Sequence, residues 1–442
     1  LYKDKVAPRI KSSVIKNILW LSFDKIFRLV LGLIAGIWVA RYLGPGKWGE
    51  LNYVQAYTSI LSTIAMLGMD GFLVKEILEA PKDKRTILGS AFVLRLTTAI
   101  IGAVVAYLVL SYLGAGSNAI RMYFFLLLTV LFTPFDLIDI EYQSELKSKR
   151  TVLTKSIAFA CGAIAKIGMI LLKMPVIYFA AVIGMESLVA YMLLVTQYQL
   201  SRNNIFLWRF KTSIMTGLLK RAWPFMLASV AVMLYMRMDQ IMLGSMISEK
   251  EVGKFSAAVR VSELFTFIPL AISSSYLPVL LKVKQEKGRA IFLAEMERLF
   301  NWMFLISVGI ALGVTLFSRP IIGILYGSAF ADTSGILIVH IWSLVAIFAG
   351  VSAGQFLVIE GMQQYTFYRT LIGLIVNIIM NILLIPSMHA YGAAVATLIS
   401  QFVVGYASGL IFKKMRIIFY MQMRSIIYPF LLFKRIIKKG EA

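Results

Sequence analysis

Nine charged residues lie well inside five stretches otherwise apolar enough to cross a membrane. Asp24, Lys25 and Arg28 fall in the first such stretch, Arg95 in the third and Lys166 in the fifth. Arg237 and Asp239 fall in the seventh, Arg260 and Glu263 in the eighth. A charge at bilayer depth costs about 2.5–3.5 kcal/mol even on lenient insertion scales, so such groups face a hydrated path, a counter-charge or a ligand. Six of the nine are cations, which points to a path for something negatively charged. Arg offers a planar fork of donors to phosphate oxygens, and Lys a compact charge. Asp24 and Arg28 are four apart and share a helix face, with the acid N-terminal, the better order for pairing. Arg260 and Glu263 also share a face, and each of these two pairs reads either as a structural ion pair or as part of a ligand site. Arg237 and Asp239, two apart, point to different faces. Lys25 has no same-helix acid beyond its neighbour. Glu186, alone in the sixth stretch, reads as a tethered buried acid or as a proton site.

The elements that must carry these residues are membrane helices. The chain has 442 residues, 59% of them hydrophobic and 15% charged, with a mean hydropathy of +0.80. A soluble domain is about 45–50% apolar and about 25% charged. Apolar windows of about 20 residues occur at 17–41, 49–69, 88–111, 121–140, 153–172, 176–198, 222–245, 254–280, 299–317, 335–359, 366–386 and 391–412. No alternating strand pattern and no long polar stretch accompanies them, which argues against a barrel or an appended soluble domain. The first window is long, charged and without a small-residue cleavage site, so it reads as a retained helix. A chain opening on Leu1 reads as trimmed.

A net charge of +23 is a topology signal. With both termini in the cytoplasm, 32 of the 45 Lys and Arg fall in or beside inner connections and tails, 7 in or beside outer ones and 6 deep in the windows. That asymmetry follows the positive-inside rule, and it argues against a nucleic-acid partner. Cys161 is the only cysteine, so no disulfide framework or Cys-based zinc site is available. His340 and His389 lack metal-ligand spacing, and neither a metal site nor a cofactor is expected. Residues 413–442 place Lys413, Lys414, Arg416, Lys434, Arg435, Lys438 and Lys439 around an apolar-aromatic run. This basic amphipathic segment is expected in the anionic cytoplasmic leaflet.

The sequence repeats itself. Trp48-Gly49-Glu50-Leu51-Asn52-Tyr53 follows Leu43-Gly44-Pro45, and Val252-Gly253-Lys254-Phe255-Ser256-Ala257 follows Leu243-Gly244. Gly162 to Lys166 match Gly373 to Asn377. The offsets, 204 from Gly49 to Gly253 and 211 from Gly162 to Gly373, both pair a span with the sixth span beyond it. Two parallel six-helix halves are expected: residues 1–198 and 222–412, with a basic connection at 199–221 and the tail from 413. Asn52, Gln55, Ser59 and Ser62 form a polar stripe on span two, and Ser256, Arg260 and Glu263 one on span eight. With the charges of spans one and seven, they are expected to line a cleft between the halves. Tyr53 and Tyr57 add hydroxyls and ring faces to the same helix.

Ala40-Arg41-Tyr42-Leu43-Gly44-Pro45 with Trp48-Gly49 resembles the signature of polysaccharide-export flippases. So do Val252 to Ala258, Pro278, and Asn377 through Pro386 leading to Tyr391-Gly392-Ala393-Ala394. The chain thus resembles the O-antigen flippase family of the multidrug/oligosaccharidyl-lipid/polysaccharide (MOP) exporter superfamily. The resemblance implies an all-α polytopic membrane protein, about 12 transmembrane helices in two bundles forming a V around a central cavity. It implies alternating access that carries a polyprenyl-pyrophosphate-linked oligosaccharide from the cytoplasmic to the outer leaflet of the cell (inner) membrane, for O-antigen, capsule or exopolysaccharide. It assigns Lys25, Arg28, Arg237 and Arg260 to the pyrophosphate or acidic sugars, and Arg95 and Lys166 to more peripheral spans. The sugars of such a cargo are expected to find amide, hydroxyl and aromatic partners in Asn52, Gln55, Tyr53 and Tyr57. Asp24, Asp239, Glu263 and Glu186 are the candidates for ion coupling or charge pairing, with H+ or Na+ as the ion. Membrane lipids and a glycan polymerase or other assembly proteins are the expected associates.

An ion-coupled multidrug or small-molecule antiporter shares the expected fold, but it would favour a more acidic cavity. A membrane-embedded glycan polymerase or transferase would need a large outer loop or an acidic metal motif. The longest outer connection runs only from about Ser318 to Ser334, and Asp136 and Asp139 stand three apart at a span end. A transporter, not an enzyme, is expected.

Overall fold

In the computed structural model the backbone is described for residues 3–112, 114, 116–201 and 203–440, and side chains within them except those of 3–16, 18, 19, 22 and 430–440. Lys434, Arg435, Lys438 and Lys439, and the basic residues from Lys3 to Lys16, therefore have side chains outside the described residues. The chain divides into two compact units, Leu1–Arg237 and Met238–Ala442. No strand occurs among the described residues.

The first unit holds α1 (Lys3–Met66), α2 (Asp70–Glu79), α3 (Lys84–Tyr112), α4 (Ser117–Leu131), α5 (Leu137–Ser144), α6 (Lys149–Leu171), α7 (Val176–Leu200) and most of α8 (Thr212–Met246). The second holds the end of α8, then α9 (Glu249–Glu263), α10 (Phe267–Leu316), α11 (Ser318–Tyr326), α12 (Thr333–Ile341), α13 (Ser343–Ile359), α14 (Gln364–Phe402), α15 (Ser408–Ile411) and α16 (Arg416–Gly440).

Nine helical segments among the described residues are long and apolar enough to cross a membrane. Three of them, Phe23–Glu79, Glu249–Leu316 and Gln364–Ile411, run to 57, 68 and 48 residues. At 1.5 Å per residue these far exceed a hydrocarbon core of about 30 Å, so each must turn back. The turning residues are Gly44 (φ 69°, ψ 172°), Gly288 (φ 81°, ψ 177°) and His389 (φ 52°, ψ −132°). Each doubled segment thus contains two of the twelve expected windows, and all twelve fall on helices. Gly44 precedes Pro45, which has no N–H to continue a ladder, and the positive φ is open to glycine at no steric cost. Pro134 sits in a 3₁₀ turn, Thr133–Asp136, that separates α4 from α5.

The sequence reading placed the boundary at 199–221, whereas the units divide inside α8. The cause is apolar burial. Leu218 and Ala222 at the start of α8 are enclosed with Leu73, Ile77, Ile87, Leu88 and Ala91 of the first unit.

Within the first unit α1 packs on α3, α4 and α6, and α7 on α4 and α6. Within the second, α10 packs on α13 and α16, and α12 on α9 and α14. After α14 one π turn, Val403–Ala407, loosens the ladder and leaves carbonyls for side chains. Arg369 Nε donates to the Val404 carbonyl at 3.0 Å, and Gln422 Nε2 to that of Gly405 at 2.8 Å. Gln422, Ile418, Met421 and Ser425 form the buried face of α16. The described part of the basic tail is therefore docked on the second unit along one face, with Arg416, Tyr420, Arg424 and Ile427 on the exposed one.

Candidate functional site

In the first unit, α1, α6 and α7 bring three of these charges, Asp24, Arg28 and Lys166, together with Glu186. Arg28 Nε lies 2.7 Å from Asp24 Oδ1, the intrahelical pair that their spacing allows. Ser156 Oγ donates to the same oxygen at 3.0 Å. Lys166 Nζ lies 2.8 Å from Glu186 Oε2. Phe159 joins the two pairs: the Arg28 guanidinium is 5.5 Å and the Lys166 ammonium 5.8 Å from its ring centroid, within reach of cation–π attraction. Glycines make the room. A Cβ on Gly32 would lie 3.2 Å from Phe159 Cζ, and one on Gly162 would collide with the Glu186 carboxylate.

Arg28 and Lys166 differ in what they have left to offer. The Lys166 charge is matched by Glu186. Arg28 gives only Nε to Asp24, and its buried Nη2 has no hydrogen-bond acceptor among the described residues. Lys25, beside it, is exposed and bonds no described residue. Arg28 and Lys25 therefore retain donors for a ligand, and so does Arg95, whose buried Nε and Nη1 have no acceptor among the described residues.

Arg95 is fully buried in α3 and bonds Asp70 Oδ1 at 2.7 Å. Nearby, Lys155 bridges Asp136 (2.6 Å) and Asp139 (2.9 Å), and the Tyr191 hydroxyl donates to Asp136 at 3.0 Å. Lys155 stands two residues inside the 153–172 window, close enough to its end to read as a charge of the neighbouring connection. Asp136 and Asp139, one turn apart at the end of an apolar window, were the signal that a cation faces them.

The polar stripe of span two is largely turned onto its own helix. Asn52 Nδ2 donates to the Trp48 carbonyl at 2.7 Å, and Ser59 to that of Gln55 at 2.7 Å. Asn52 and the Gln55 side chain are half-buried. Tyr53 and Tyr57 are buried with their hydroxyls 3.1 Å apart, so they offer no ring face to a sugar, contrary to expectation. The one-turn spacing of two tyrosines favours this mutual bond.

In the second unit the decisive group is Asp239. Its carboxylate is buried and accepts from Asn377 Nδ2 at 2.9 Å, Asn381 Nδ2 at 2.6 Å and Thr397 Oγ1 at 2.7 Å. Asn381 Nδ2 also donates to Asn377 Oδ1 at 3.1 Å, and Asn381 Oδ1 is a buried acceptor with no donor among the described residues. The carboxylate is thus ringed by two amide NH₂ groups and a hydroxyl; it can take a proton as it stands, and turning the two amides over would set their oxygens beside it, a donor set that suits a small monovalent cation. The sequence reading treated Asp239 with Arg237 and missed its partners. Asn377 and Asn381, four apart in an apolar window and so on one face, were the available signal.

Arg237 and Arg260 are half-buried, and each interacts with a neighbouring group. Glu263 is half-buried, its backbone carbonyl accepting from Thr266 Oγ1 at 2.7 Å. Among the described residues, no cluster of three or more His, Cys, Asp or Glu is placed to hold a metal ion.

Residues 14–284 match the family described as "Polysaccharide biosynthesis protein". The chain belongs to that family. Within it and beyond, the chain is 24% identical over 382 residues to a protein of Haloferax volcanii named as a probable low-salt glycan biosynthesis flippase, Agl15, covering 85% of this chain and 78% of the relative. It is 27% identical over 168 residues to the capsular polysaccharide biosynthesis protein CapF of Staphylococcus aureus, 37% of this chain and 41% of that one. The lipid II flippase MurJ in an inward closed conformation superposes with a TM-score of 0.73 at 17% identity, over 95% of this chain and 93% of that chain. An inward-facing multidrug transporter of the MOP superfamily gives 0.73 at 16% identity, over 91% and 98%. This member of the family therefore has the all-α, polytopic MOP fold.

Proposed function

We propose that the chain is a flippase that carries a polyprenyl-pyrophosphate-linked oligosaccharide from the cytoplasmic to the outer leaflet by alternating access, for a cell-surface glycan. The observation that carries this reading is the similarity to a named glycan biosynthesis flippase along 85% of the chain, within a family of polysaccharide biosynthesis. The chemistry of Arg28 supports it. A guanidinium at membrane depth with an unused buried Nη2 suits a phosphate oxygen, and exposed Lys25 adds charge beside it. Arg237 and Arg260 supply further cations for the pyrophosphate or acidic sugars, and Asn52 and Gln55 are the sugar-facing amides. Lys166, matched by Glu186, is structural in this reading, and Arg95, bonded to Asp70 through one nitrogen only, is a further candidate cation. Asp239 is the coupling-ion site, taking Na+ or H+. The chain works as a transporter with no catalytic step, in the inner membrane with both termini cytoplasmic.

Cells lacking the gene should lose the surface glycan and accumulate its lipid-linked precursor facing the cytoplasm. Wild-type chain should restore export and Arg28→Ala should not. Normal surface glycan in the deletion strain, with no precursor build-up, would refute the proposal.

A further inference from the structure

The two units carry unequal versions of one site. Gly162 to Lys166 match Gly373 to Asn377 at an offset of 211, and Pro175 matches Pro386 at the same offset. Tyr178-Phe179-Ala180-Ala181-Val182 matches Tyr391-Gly392-Ala393-Ala394-Val395 at 213. Leu43-Gly44 matches Leu243-Gly244 at 200. Along these matches Asn377 corresponds to Lys166, Thr397 to Gly184 and Asp239 to Val39.

In the second unit, then, the first, fifth and sixth helices of the repeat supply Asp, Asn and Thr, and the buried carboxylate is held by neutral donors alone: Asn377, Asn381 and Thr397. In the first unit the position matching Asp239 holds Val39, which is 3% exposed, and the position matching Asn377 holds the Lys166 ammonium. A replacement acid, Glu186, stands two residues beyond the Thr397 counterpart, and Lys166 Nζ meets it at 2.8 Å. Gly162 leaves the space that the displaced carboxylate fills. The other charged groups around it, Arg28 and Asp24, lie across the Phe159 ring and bond each other. On the α4 side, Gly184 rests on the Phe125 backbone carbonyl, with no charge.

We propose that the Lys166 ammonium is a tethered cation that permanently fills the first unit's counterpart of the Asp239 site, so that the exchangeable monovalent cation acts in the second unit alone. This rests on the reading of Asp239 as the ion site. A free ion in such a pocket answers to concentration and pH. An ammonium on its own stem does not, because its local concentration is fixed by the chain. One half of a duplicated transporter would thereby be made insensitive to the ion while keeping the charge balance that a buried carboxylate requires.

Purified protein in lipid nanodiscs tests this through two arms. Radiolabelled Na+ binding is measured at fixed pH in choline, and proton uptake is measured by pH-dye titration without Na+. Wild type should bind one exchangeable cation per chain, and Asp239→Asn none. Lys166→Asn should gain a second, seen in the Na+ arm or the proton arm according to which ion Glu186 accepts, and Lys166→Asn/Glu186→Gln should lose it again. Lys166→Met/Glu186→Gln removes both charges at nearly constant shape, a change that buried pairs often tolerate. It should keep a single cation with half-saturation within about threefold of wild type. That variant keeps the proposal open to refutation should Lys166→Asn fold poorly. A Lys166→Asn protein that still binds one cation in both arms would overturn the inference. So would a Lys166→Met/Glu186→Gln protein that loses its cation or binds it ten times more weakly. Wild-type stoichiometry in Asp239→Asn would instead sink the Asp239 reading, and the gain at Lys166→Asn would still be legible against it.

Discussion

Replacing Asp239 separates the ion site's role in stability from its role in transport. The carboxylate accepts three hydrogen bonds from Asn377, Asn381 and Thr397, each worth about 1.5–3 kcal/mol when the acceptor is charged. Against this stands a desolvation cost of several kcal/mol for a buried ion held by neutral donors. In Asp239→Asn both terms shrink together. The new amide oxygen can take the bonds from Asn377 and Asn381, and the new NH₂ can donate to Thr397 Oγ1. Thr397 loses nothing by accepting, since its hydroxyl already has a second acceptor in the Ala393 carbonyl at 3.0 Å. The net change in stability should therefore be within about 1 kcal/mol of zero. Asp239→Ala offers no such exchange. It orphans two buried amide donors, those of Asn377 and Asn381, at about 1–3 kcal/mol each, for a loss of about 2–6 kcal/mol. Thermal unfolding in detergent, with denaturant unfolding as a check, reads the stability of both. Ion-dependent transport in proteoliposomes reads the function, and neither variant should respond to Na+ or to a pH gradient. An Asn variant as unstable as the Ala one, or one with a wild-type ion response, would refute the reasoning.

Arg28→Ala and Arg260→Ala should each weaken binding of a soluble pyrophosphate headgroup about 10- to 150-fold, the equivalent of about 1.5–3 kcal/mol of charged hydrogen bonding; titration calorimetry checks this. Lys at either position should recover part of the loss, and wild-type affinity in both Ala variants would end the assignment. His389 turns α14 at φ 52°, ψ −132° with an exposed side chain, a conformation that strains any residue with a Cβ. His389→Gly should raise stability by about 1 kcal/mol and His389→Ala should not; a less stable Gly variant in a detergent melt would contradict this. In a background lacking exposed Cys161, a cysteine at exposed Ser328 should react with an impermeant thiol reagent applied to intact cells. One at exposed Ser213 should react only after permeabilisation, and the reverse pattern would invert the topology.

The fold was legible because membrane helices follow from apolar length alone, and Gly44 and Gly288 lie in the gaps between expected windows. The boundary between the units was not, because α8 runs through it without a break and the burial of Leu218 and Ala222 leaves no compositional trace. Within the sites, the sequence exposed what one helix can show: the Asp24–Arg28 pair follows from spacing four. It could not expose what needs two helices. The pairing of Lys166 with Glu186, 20 residues on, and of Asp239 with Thr397, 158 residues on, depends on which faces meet. Tyr53 and Tyr57 erred in the other direction. Their aromatic character suggested a sugar surface, and only packing reveals that both are buried.

The central claim concerns movement of a lipid-linked glycan, and reconstitution measures it most directly. Purified chain in proteoliposomes with a polyprenyl-pyrophosphate oligosaccharide in one leaflet can be followed with a membrane-impermeant glycosidase added outside. Wild type should make the inner-leaflet pool accessible at a rate that rises with an imposed Na+ or proton gradient, and Arg28→Ala should stay near the rate of empty vesicles. Wild-type vesicles no faster than empty ones, under every gradient and with the protein demonstrably folded, would contradict the account.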